Sequence, residues 1–353
     1  MHNTITEYFM NVETTKEYNG YFCSVAETIT IVILGSISGL KNVSQMHQWA
    51  TDDRVSEFFK EKFGIENIPC YYWILCLLKL VEPASLNRCF HEWFRSMVPE
   101  SMEGMTISLD GKTIRSTEKM ASYESPLHVV SAQVSELGMT FAQKSVDGKS
   151  NEIPAVQKLL EELDISGCII VADALNCQKN TAKAIIAGGA DYVEDKELLS
   201  AMDTASRIEK SRDRIEKRSA YVTEETGWLT GGEDWECLWC IGAVHTEFES
   251  PKGKTEEWHY YISSRKLTAE ELLHHARMEW SEETMHWLLD VHFGEDYCRV
   301  EDRNIQQNLN MLRKAALNLI KQYKERAGSK RSMSKIMFDC LLNPYVISEI
   351  LEN

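Results

Sequence analysis

The first part of the chain, residues 1–98, carries apolar side chains at helical spacing and shows no alternation typical of strands. VSQMHQWATDDRVSEFFKEKFG and PASLNRCFHEWFRSM both follow this pattern. The longest apolar run, residues 25–40, is too short and contains too many polar residues to span a bilayer, so we interpret it as a buried helix. The pattern predicts a small helical N-terminal domain over residues 1–98 and no membrane partner.

From residue 105 the pattern changes to strands that alternate with helices. MTISLD, HVVSAQVS and MTFAQKSV are predicted strands, and the last two are joined in a hairpin. SNEIPAVQKLLEELD and QKNTAKAIIAGG are predicted helices, while CIIVAD and DYV are predicted strands. The resulting order, β-β-β-α-β-α-β, predicts an α/β fold with an RNase H-like mixed sheet as the core of a domain over residues 104–320.

The helical pattern lapses again over about residues 208–264. SAYVTEE, ECLWCIGAVHTEF and WHYYISSR have the composition of strands, so we predict a β-rich insertion there. Two helices should follow, one from Ala269 within TAEELLHHARMEWSEETMHWLLDVHF and one in NIQQNLNMLRKAALNLIKQYKER. Residues 321–353 contain many cations and are interpreted as a basic C-terminal tail.

The 353-residue chain is acidic, with a formal net charge of −16. This charge argues against nonspecific nucleic-acid binding by the whole surface, but it permits a local basic face. Cations concentrate over residues 313–335, where they form either a solvated helix end or a phosphate-binding patch. The start of the chain lacks a secretory pattern, and its ten scattered cysteines are typical of reduced thiols, so we expect a cytoplasmic protein.

Two aspartates stand at the ends of predicted strands. Asp110 ends MTISLD and Asp173 ends CIIVAD. In a mixed sheet the first strand of a meander and the first strand after the crossover helix are commonly neighbours, which would place both carboxylates at one sheet edge. The alternative is that they are ordinary strand-end residues that cap loops or helices.

A third carboxylate is suggested by helix geometry. Glu279, Glu283, His286 and Asp290 are spaced i, i+4, i+7 and i+11, so they share one face of a helix. Such a face is either solvated or, if it packs against the sheet edge, delivers a carboxylate to the two aspartates.

Three carboxylates in one cluster repel each other, and burial raises their pKa values further, so a divalent cation would stabilise the group. Oxygen-only ligands favour Mg²⁺, with Mn²⁺ as a substitute, over zinc. Two such ions can activate a water or a 3′-hydroxyl and stabilise the leaving oxygen of a phosphoryl displacement. Lys112 and Arg115 would neutralise phosphates beside this site.

Several stretches of the chain resemble the DDE transposases of bacterial insertion sequences, in the ISAs-type group that includes the H-repeat-associated proteins. The stretches, in chain order, are LDGKTIR, HVVSAQVSELGMTFAQKSVDGKSNEIPAVQKLL, GCIIVADALNCQK, RIEKR, YYISS, WSEETMHWLLDVHFGEDYCRV and NLNMLRKAALNLI. The resemblance covers nearly the whole chain. It implies a Mg²⁺-dependent enzyme that cleaves the ends of a mobile DNA element and then attacks target DNA with the freed 3′-hydroxyl.

By position, the resemblance implies that three acids are metal ligands and catalytic residues. Asp110 in LDGK corresponds to the first acid, Asp173 in VADA to the second, and Glu283 in WSEE to the third. Glu282 competes for the third position, since it adjoins Glu283 but points about 100° away on a helix.

The resemblance also implies DNA partners, namely the terminal repeats of the element and its target. It further implies a dimer or higher assembly on DNA and a bacterial cytoplasmic protein that joins the nucleoid when bound. The N-terminal domain would recognise element ends or mediate their pairing. Seven cations are candidate DNA contacts: Lys112, Arg115, Lys149, Lys196, Arg277, Arg313 and Lys314.

Departures from the family pattern support other hypotheses. VEDKELLSAM stands where these transposases have a Lys-Gly-Asn-Gln stretch, and the chain is acidic where its relatives tend to be basic. These differences favour a catalytically silent or repurposed DNA-binding relic of a transposase. A nuclease that hydrolyses DNA without joining strands would use the same metal site.

Overall fold

The computed structural model describes residues 5–18, 22–99, 101–118, 120, 125–147, 152–173, 175–195, 203–211, 214–227, 229, 231–251, 253–279 and 281–352. Its N-terminal part is helical, as predicted. The helices are α1 (Ile5–Tyr8), α2 (Val25–Ile37), α3 (Val43–Ala50), α4 (Asp53–Phe63), α5 (Tyr71–Leu80) and α6 (Pro83–Met97). Local sequence sets their ends: Asp52 caps α4, and Gly64, at φ +68°, closes it.

The predicted order of strands and helices is confirmed in the core. It comprises β1 (Thr106–Thr113), β2 (Leu127–Val134), β3 (Met139–Asp147), α7 (Glu152–Glu162), β4 (Ile169–Ala172), α8 (Lys179–Ala187) and β5 (Asp191–Asp195). Strands β1 to β3 form an antiparallel meander, and β4 pairs in parallel with both β1 and β5. This mixed sheet, in the order β3-β2-β1-β4-β5, has the connectivity of an RNase H-like core.

The β-rich insertion extends the same sheet. Its four antiparallel strands are β6 (Asp203–Ser211), β7 (Arg214–Thr223), β8 (Cys240–Ser250) and β9 (Gly253–Ser263). Strand β9 pairs with the end of β5, and the sheet continues in the order β9-β8-β7-β6 to make nine strands among the described residues. Strand β6 is an addition to the prediction, since its polar sequence DTASRIEKS lacks the apolar alternation of a half-buried strand.

The helix predicted from Ala269 is described over two ranges, α9 (Ala269–Glu279) and α10 (Ser281–Phe293). The two halves bury their apolar sides in different places. Leu272 of α9 packs beneath the insertion, whereas Leu289 of α10 belongs to the core of the N-terminal helices.

The interpretation of residues 321–353 as a tail is corrected by the structure. Helix α11 (Arg303–Arg326) is followed by α12 (Met333–Leu342) and α13 (Val346–Leu351). Lys324, Arg326 and Lys335 lie on these helices, and Lys330 and Arg331 lie in the loop between α11 and α12. Ile336, Cys340, Ile347 and Ile350 are buried in the same core as helices α1 to α6. We call this shared core, which joins both ends of the chain, the helical core.

The cysteines and the helix lengths can be compared with the expectations from the sequence. All ten cysteines are free thiols. Within the described ranges, every helix is either too short or too polar to cross a bilayer.

Candidate active site

The two predicted aspartates lie side by side at the carboxyl edge of the core sheet. Leu109 of β1 pairs with Ala172 of β4, so Asp110 and Asp173 are the next residues on neighbouring parallel strands. Burial raises the pKa of both carboxyl groups, and the negative charge of Asp173 adds to the effect on Asp110, whose pKa is raised to about 6. The predicted meeting of these two acids is therefore present in the fold.

A buried polar network lies against this pair. His128 of β2 binds Glu152, the first residue of α7, with 2.8 Å between Nε2 and Oε2. The side-chain amide of Asn176 donates to Glu152 Oε1 at 2.8 Å and to Asp173 Oδ1 at 3.1 Å. All three network residues are almost completely buried. We call His128, Glu152 and Asn176 the Glu152 network.

Gly111 makes room for this network. A Cβ atom at this position would stand 2.5 Å from Glu152 Cδ and still closer to His128 Nε2. We expect Gly111→Ala to lower the free energy of unfolding by about 1–3 kcal/mol, as overpacking of a buried site does. Urea denaturation should show this, with Gly227→Ala as control because no atom lies within 4 Å of its added Cβ. An equal effect of the two substitutions would contradict the close approach.

Helix α10 faces the aspartates with the predicted side. His286 Nδ1 lies 3.3 Å from Asp110 Oδ2, and Asp290 binds Lys112 of β1. Burial, together with the cations Lys314 and Lys112, lowers the pKa of His286 to about 3, so the ring is neutral at pH 7. The helix is thereby attached to β1 on both sides of Gly111.

The start of α10 carries the two candidates for the third acid. Glu283 is exposed, one turn before His286, and the side chain of Glu282 lies outside the described part of the structure. At about 100° per residue, Glu283 lies about 40° from the line midway between His286 and Asp290. Glu283 is thus near the face that meets β1. Glu279, the last described residue of α9, accepts a hydrogen bond from the Tyr261 hydroxyl.

Lys112 forms a buried ion cluster behind the aspartates. Its ammonium lies 2.8 Å from Asp290 and 2.7 Å from Glu295, and Glu295 also accepts a hydrogen bond from Asn310. Burial alone would lower the pKa of Lys112, but the Glu295 and Asp290 carboxylates outweigh burial and raise it. Lys112 therefore links β1 to α10 and to the turn after α10. Its ammonium is already neutralised, unlike that of a lysine held ready for phosphate.

Two other predicted DNA contacts are also inside the protein. Arg313 and Lys314 are each 2% exposed, because α11 runs between the N-terminal helices and β3. Arg313 donates to the Lys41 carbonyl at 3.3 Å, and Lys314 donates to Ser131 Oγ at 2.6 Å. The expectation that these two cations bind DNA is corrected, since the helix presents them to its own neighbours.

The remaining cationic candidates differ in accessibility. Arg115 is 79% exposed and 3.9 Å from Asp296, beside the site. Arg277 is half-exposed and 3.6 Å from Glu209. Lys149 and Lys196 lie outside the described residues. Arg115 is therefore the accessible cation of this group that lies closest in sequence to Asp110, in the 3-10 turn that follows β1.

The donor atoms at the sheet edge suit a hard divalent cation. Asp110 and Asp173 supply oxygen ligands, and burial, with a further effect of neighbouring carboxylates, raises the pKa of both. Within the described ranges, no group of three acids, histidines or cysteines is already close enough to hold an ion. The pair fits such an ion, and a third ligand would have to come from the start of α10.

Sequence reasoning missed the Glu152 network. In the sequence, Glu152 lies in the first turn of the predicted helix SNEIPAVQKLLEELD, and this pattern predicts no role for His128 or Asn176. A signal was available in the sequence. All three lie within the stretches that resemble the transposases, and Asn176 stands three residues after Asp173.

Two protein families match this chain, and one solved structure resembles it weakly. The family described as Transposase DDE domain matches residues 103–319, and a family described as associated with it matches residues 6–94. A solved piggyBac transposase synaptic complex with hairpin DNA is 9% identical, with a TM-score of 0.48, covering 99% of this chain and 77% of that one.

Two Escherichia coli K12 proteins are similar over most of their length. "H repeat-associated putative transposase YhhI" is 30% identical over 342 residues, 89% of this chain and 90% of the relative. "Putative protein YbfL" is 30% identical over 338 residues, 88% of this chain and 89% of the relative. Since the domain family covers more than half of the chain, and relatives of this kind cover nearly all of it, the protein belongs to the DDE transposase family.

Proposed function

We propose that this chain is an active transposase, which cleaves the ends of an insertion element and joins them to target DNA with Mg²⁺. The observation that carries the proposal is the pairing of Asp110 and Asp173 at one sheet edge, with His286 of α10 in contact with Asp110. This arrangement supports the metal-binding role that the resemblance gives to both acids.

The proposed site divides its tasks among named residues. Asp110 and Asp173 would hold Mg²⁺, or Mn²⁺ in its place, together with Glu283 or Glu282. When bound, the metal would activate the attacking water or 3′-hydroxyl and stabilise the leaving oxygen. His286, neutral and in contact with Asp110, orients that carboxylate, and Arg115 supplies an accessible cation for DNA phosphate.

The proposal is tested by incubating the purified full chain with DNA that carries the sequences flanking its gene. With Mg²⁺ we expect cleavage that leaves a 3′-hydroxyl at the element end, followed by joining to a target plasmid. Cleavage without joining would favour the nuclease hypothesis. Specific binding without cleavage in either Mg²⁺ or Mn²⁺ would favour the catalytically silent relic.

The relic hypothesis keeps specific support from the structure. Three of the seven predicted DNA contacts, Lys112, Arg313 and Lys314, are engaged inside the protein, and the net charge is −16. DNA binding would therefore depend on few cations. The cleavage assay separates this hypothesis from the leading one, because a relic would hold DNA and leave it intact.

The third acid can be identified by comparing two neighbouring substitutions. We expect Glu283→Gln to reduce Mg²⁺-dependent cleavage at least about a hundredfold, because loss of a ligand removes several kcal/mol of metal-derived stabilisation. Glu282→Gln is the matched control and should retain most activity. The reverse ranking would assign the role to Glu282 and leave the rest of the site unchanged.

Arg115 provides a test of DNA contact. Arg115→Ala should weaken binding to DNA and reduce the slope of log affinity against log salt by about one, as expected for one lost phosphate contact. Arg326→Ala is the control. Arg326 is exposed at the end of α11. It lies far from the site, because Lys321, one turn earlier on this helix, binds the β2–β3 turn at the opposite end of the strands. Equal effects of the two changes would mean that Arg115 contributes only general charge.

A further inference from the structure

Within the Glu152 network, Asn176 connects Glu152 to the carboxylate of Asp173. Both hydrogens of the Asn176 amide are engaged, one on Glu152 Oε1 and the other on Asp173 Oδ1. The backbone N–H of Asn176 donates to the same Asp173 oxygen at 3.1 Å. Two bonds to one oxygen fix the rotation of the Asp173 carboxylate and direct its other oxygen away from Asn176.

The network continues to the strand that carries the first aspartate. Glu152 Oε2 binds His128 Nε2, and His128 Nδ1 lies 3.0 Å from the hydroxyl of Thr113 on β1. Thr113 is three residues after Asp110. The chain of contacts therefore joins the strand of the first acid to the carboxylate of the second through buried side chains.

Packing alone does not account for this network. A carboxylate taken fully out of water costs several kcal/mol unless its partners compensate, and apolar residues of similar size often fill such a site with equal or greater stability. Residue 111 is also a glycine, whose missing Cβ lets the network approach β1 closely. These features are expected where a carboxylate must be held in one orientation.

We propose that Glu152 is a positioning residue of the active site, which acts through Asn176 to hold the Asp173 carboxylate in its metal-binding orientation, with His128 holding Glu152. The inference rests on the proposed function, because it assumes that Asp173 binds a divalent cation. It assigns no ligand role to Glu152 itself, whose two oxygens are both engaged in the network.

The test is Mn²⁺ binding by the full chain without DNA, measured by electron paramagnetic resonance of the free ion. Glu152→Gln keeps the size of the side chain but removes its charge and one acceptor, so the contact with His128 persists only if the imidazole changes tautomer. We expect this variant and Asn176→Ala to bind Mn²⁺ about ten- to a hundredfold more weakly than wild type, as with other partners of metal ligands.

His275→Gln is the matched control. His275 is a second buried histidine bound to a threonine of β1, with 3.1 Å between its Nδ1 and Thr106 Oγ1, but it lies on α9 and outside the network. We expect His128→Gln to weaken Mn²⁺ binding and His275→Gln to leave it unchanged, although both should lower the melting temperature. If Glu152→Gln does not fold, Thr113→Val tests the outer end of the network with an expected loss of about threefold to tenfold.

The outcomes separate the two proposals. If wild type binds Mn²⁺ and Asp173→Asn abolishes binding, but the network variants bind like wild type, the positioning role is overturned and the proposed function stands. If Asp173→Asn binds as wild type does, or wild type binds no Mn²⁺, both are overturned. Weakened binding in the network variants, with His275→Gln unaffected, supports both.

Discussion

Asp110→Asn is expected to reduce Mg²⁺-dependent cleavage of element-end DNA at least about a thousandfold. The asparagine keeps the shape of the side chain but removes a charged ligand, and a loss of about 4 kcal/mol of transition-state stabilisation corresponds to this factor. The measurement is a single-turnover cleavage assay at saturating Mg²⁺. Asp191→Asn is a suitable control, since Asp191 starts β5 and binds Ser264 at the opposite end of the parallel strands.

The metal-free Asp110→Asn protein should be more stable than wild type at pH 7. The ordinary pKa of an aspartate is about 3.9, and the folded protein raises the pKa of Asp110 to about 6. Above pH 6 the group is ionised in both states, so its destabilising effect is fully present, whereas below about pH 4 it is protonated in both and the effect vanishes. Thermal melts should therefore differ at pH 7 and converge near pH 4. A variant that melts lower than wild type at pH 7 would contradict this electrostatic account.

Lys112→Met is expected to lower the free energy of unfolding by about 3–5 kcal/mol. The change leaves Glu295, which is 1% exposed, without its nearest cation, and an unpaired buried charge carries a penalty of this size. It also frees Asp290 and thereby loosens α10 from β1. Urea denaturation monitored by tryptophan fluorescence measures the effect.

Two further variants sharpen this test. Lys217→Met removes one member of the exposed Lys217–Glu247 pair and should cost less than about 1 kcal/mol. In the double variant Lys112→Met, Glu295→Gln, the buried charge is gone and a good part of the lost stability should return. If Lys112→Met lowered the free energy of unfolding as little as Lys217→Met does, the buried ion cluster would contribute no more to stability than an exposed ion pair.

The aspartate pair could be predicted because the strands and helices that bring it together are each recognisable from their local sequence. Each residue ends a short apolar strand, and the meander followed by a crossover helix brings those strands together. The same reasoning gave the face of α10 that meets β1, since helical spacing alone places His286 and Asp290 on one side.

The errors concern residues whose surroundings are set by distant parts of the chain. Arg313 and Lys314 look like surface cations by type, yet α11 is enclosed by elements far away in sequence. Glu152 satisfies the rule for a helix start, and only the fold shows that it also faces His128 and Asn176. The charge of a residue and the spacing of apolar residues around it carry no information about contacts with distant parts of the chain.

The helical core makes the two ends of the chain interdependent. Helices α1 to α6 bury their apolar faces against α11, α12 and α13, so neither end has a complete interior without the other. A shortened protein that lacks α12 and α13 would expose the apolar faces of the remaining helices, and cellular proteases would degrade it. During synthesis, the first helices can complete this core only after the last ones have left the ribosome.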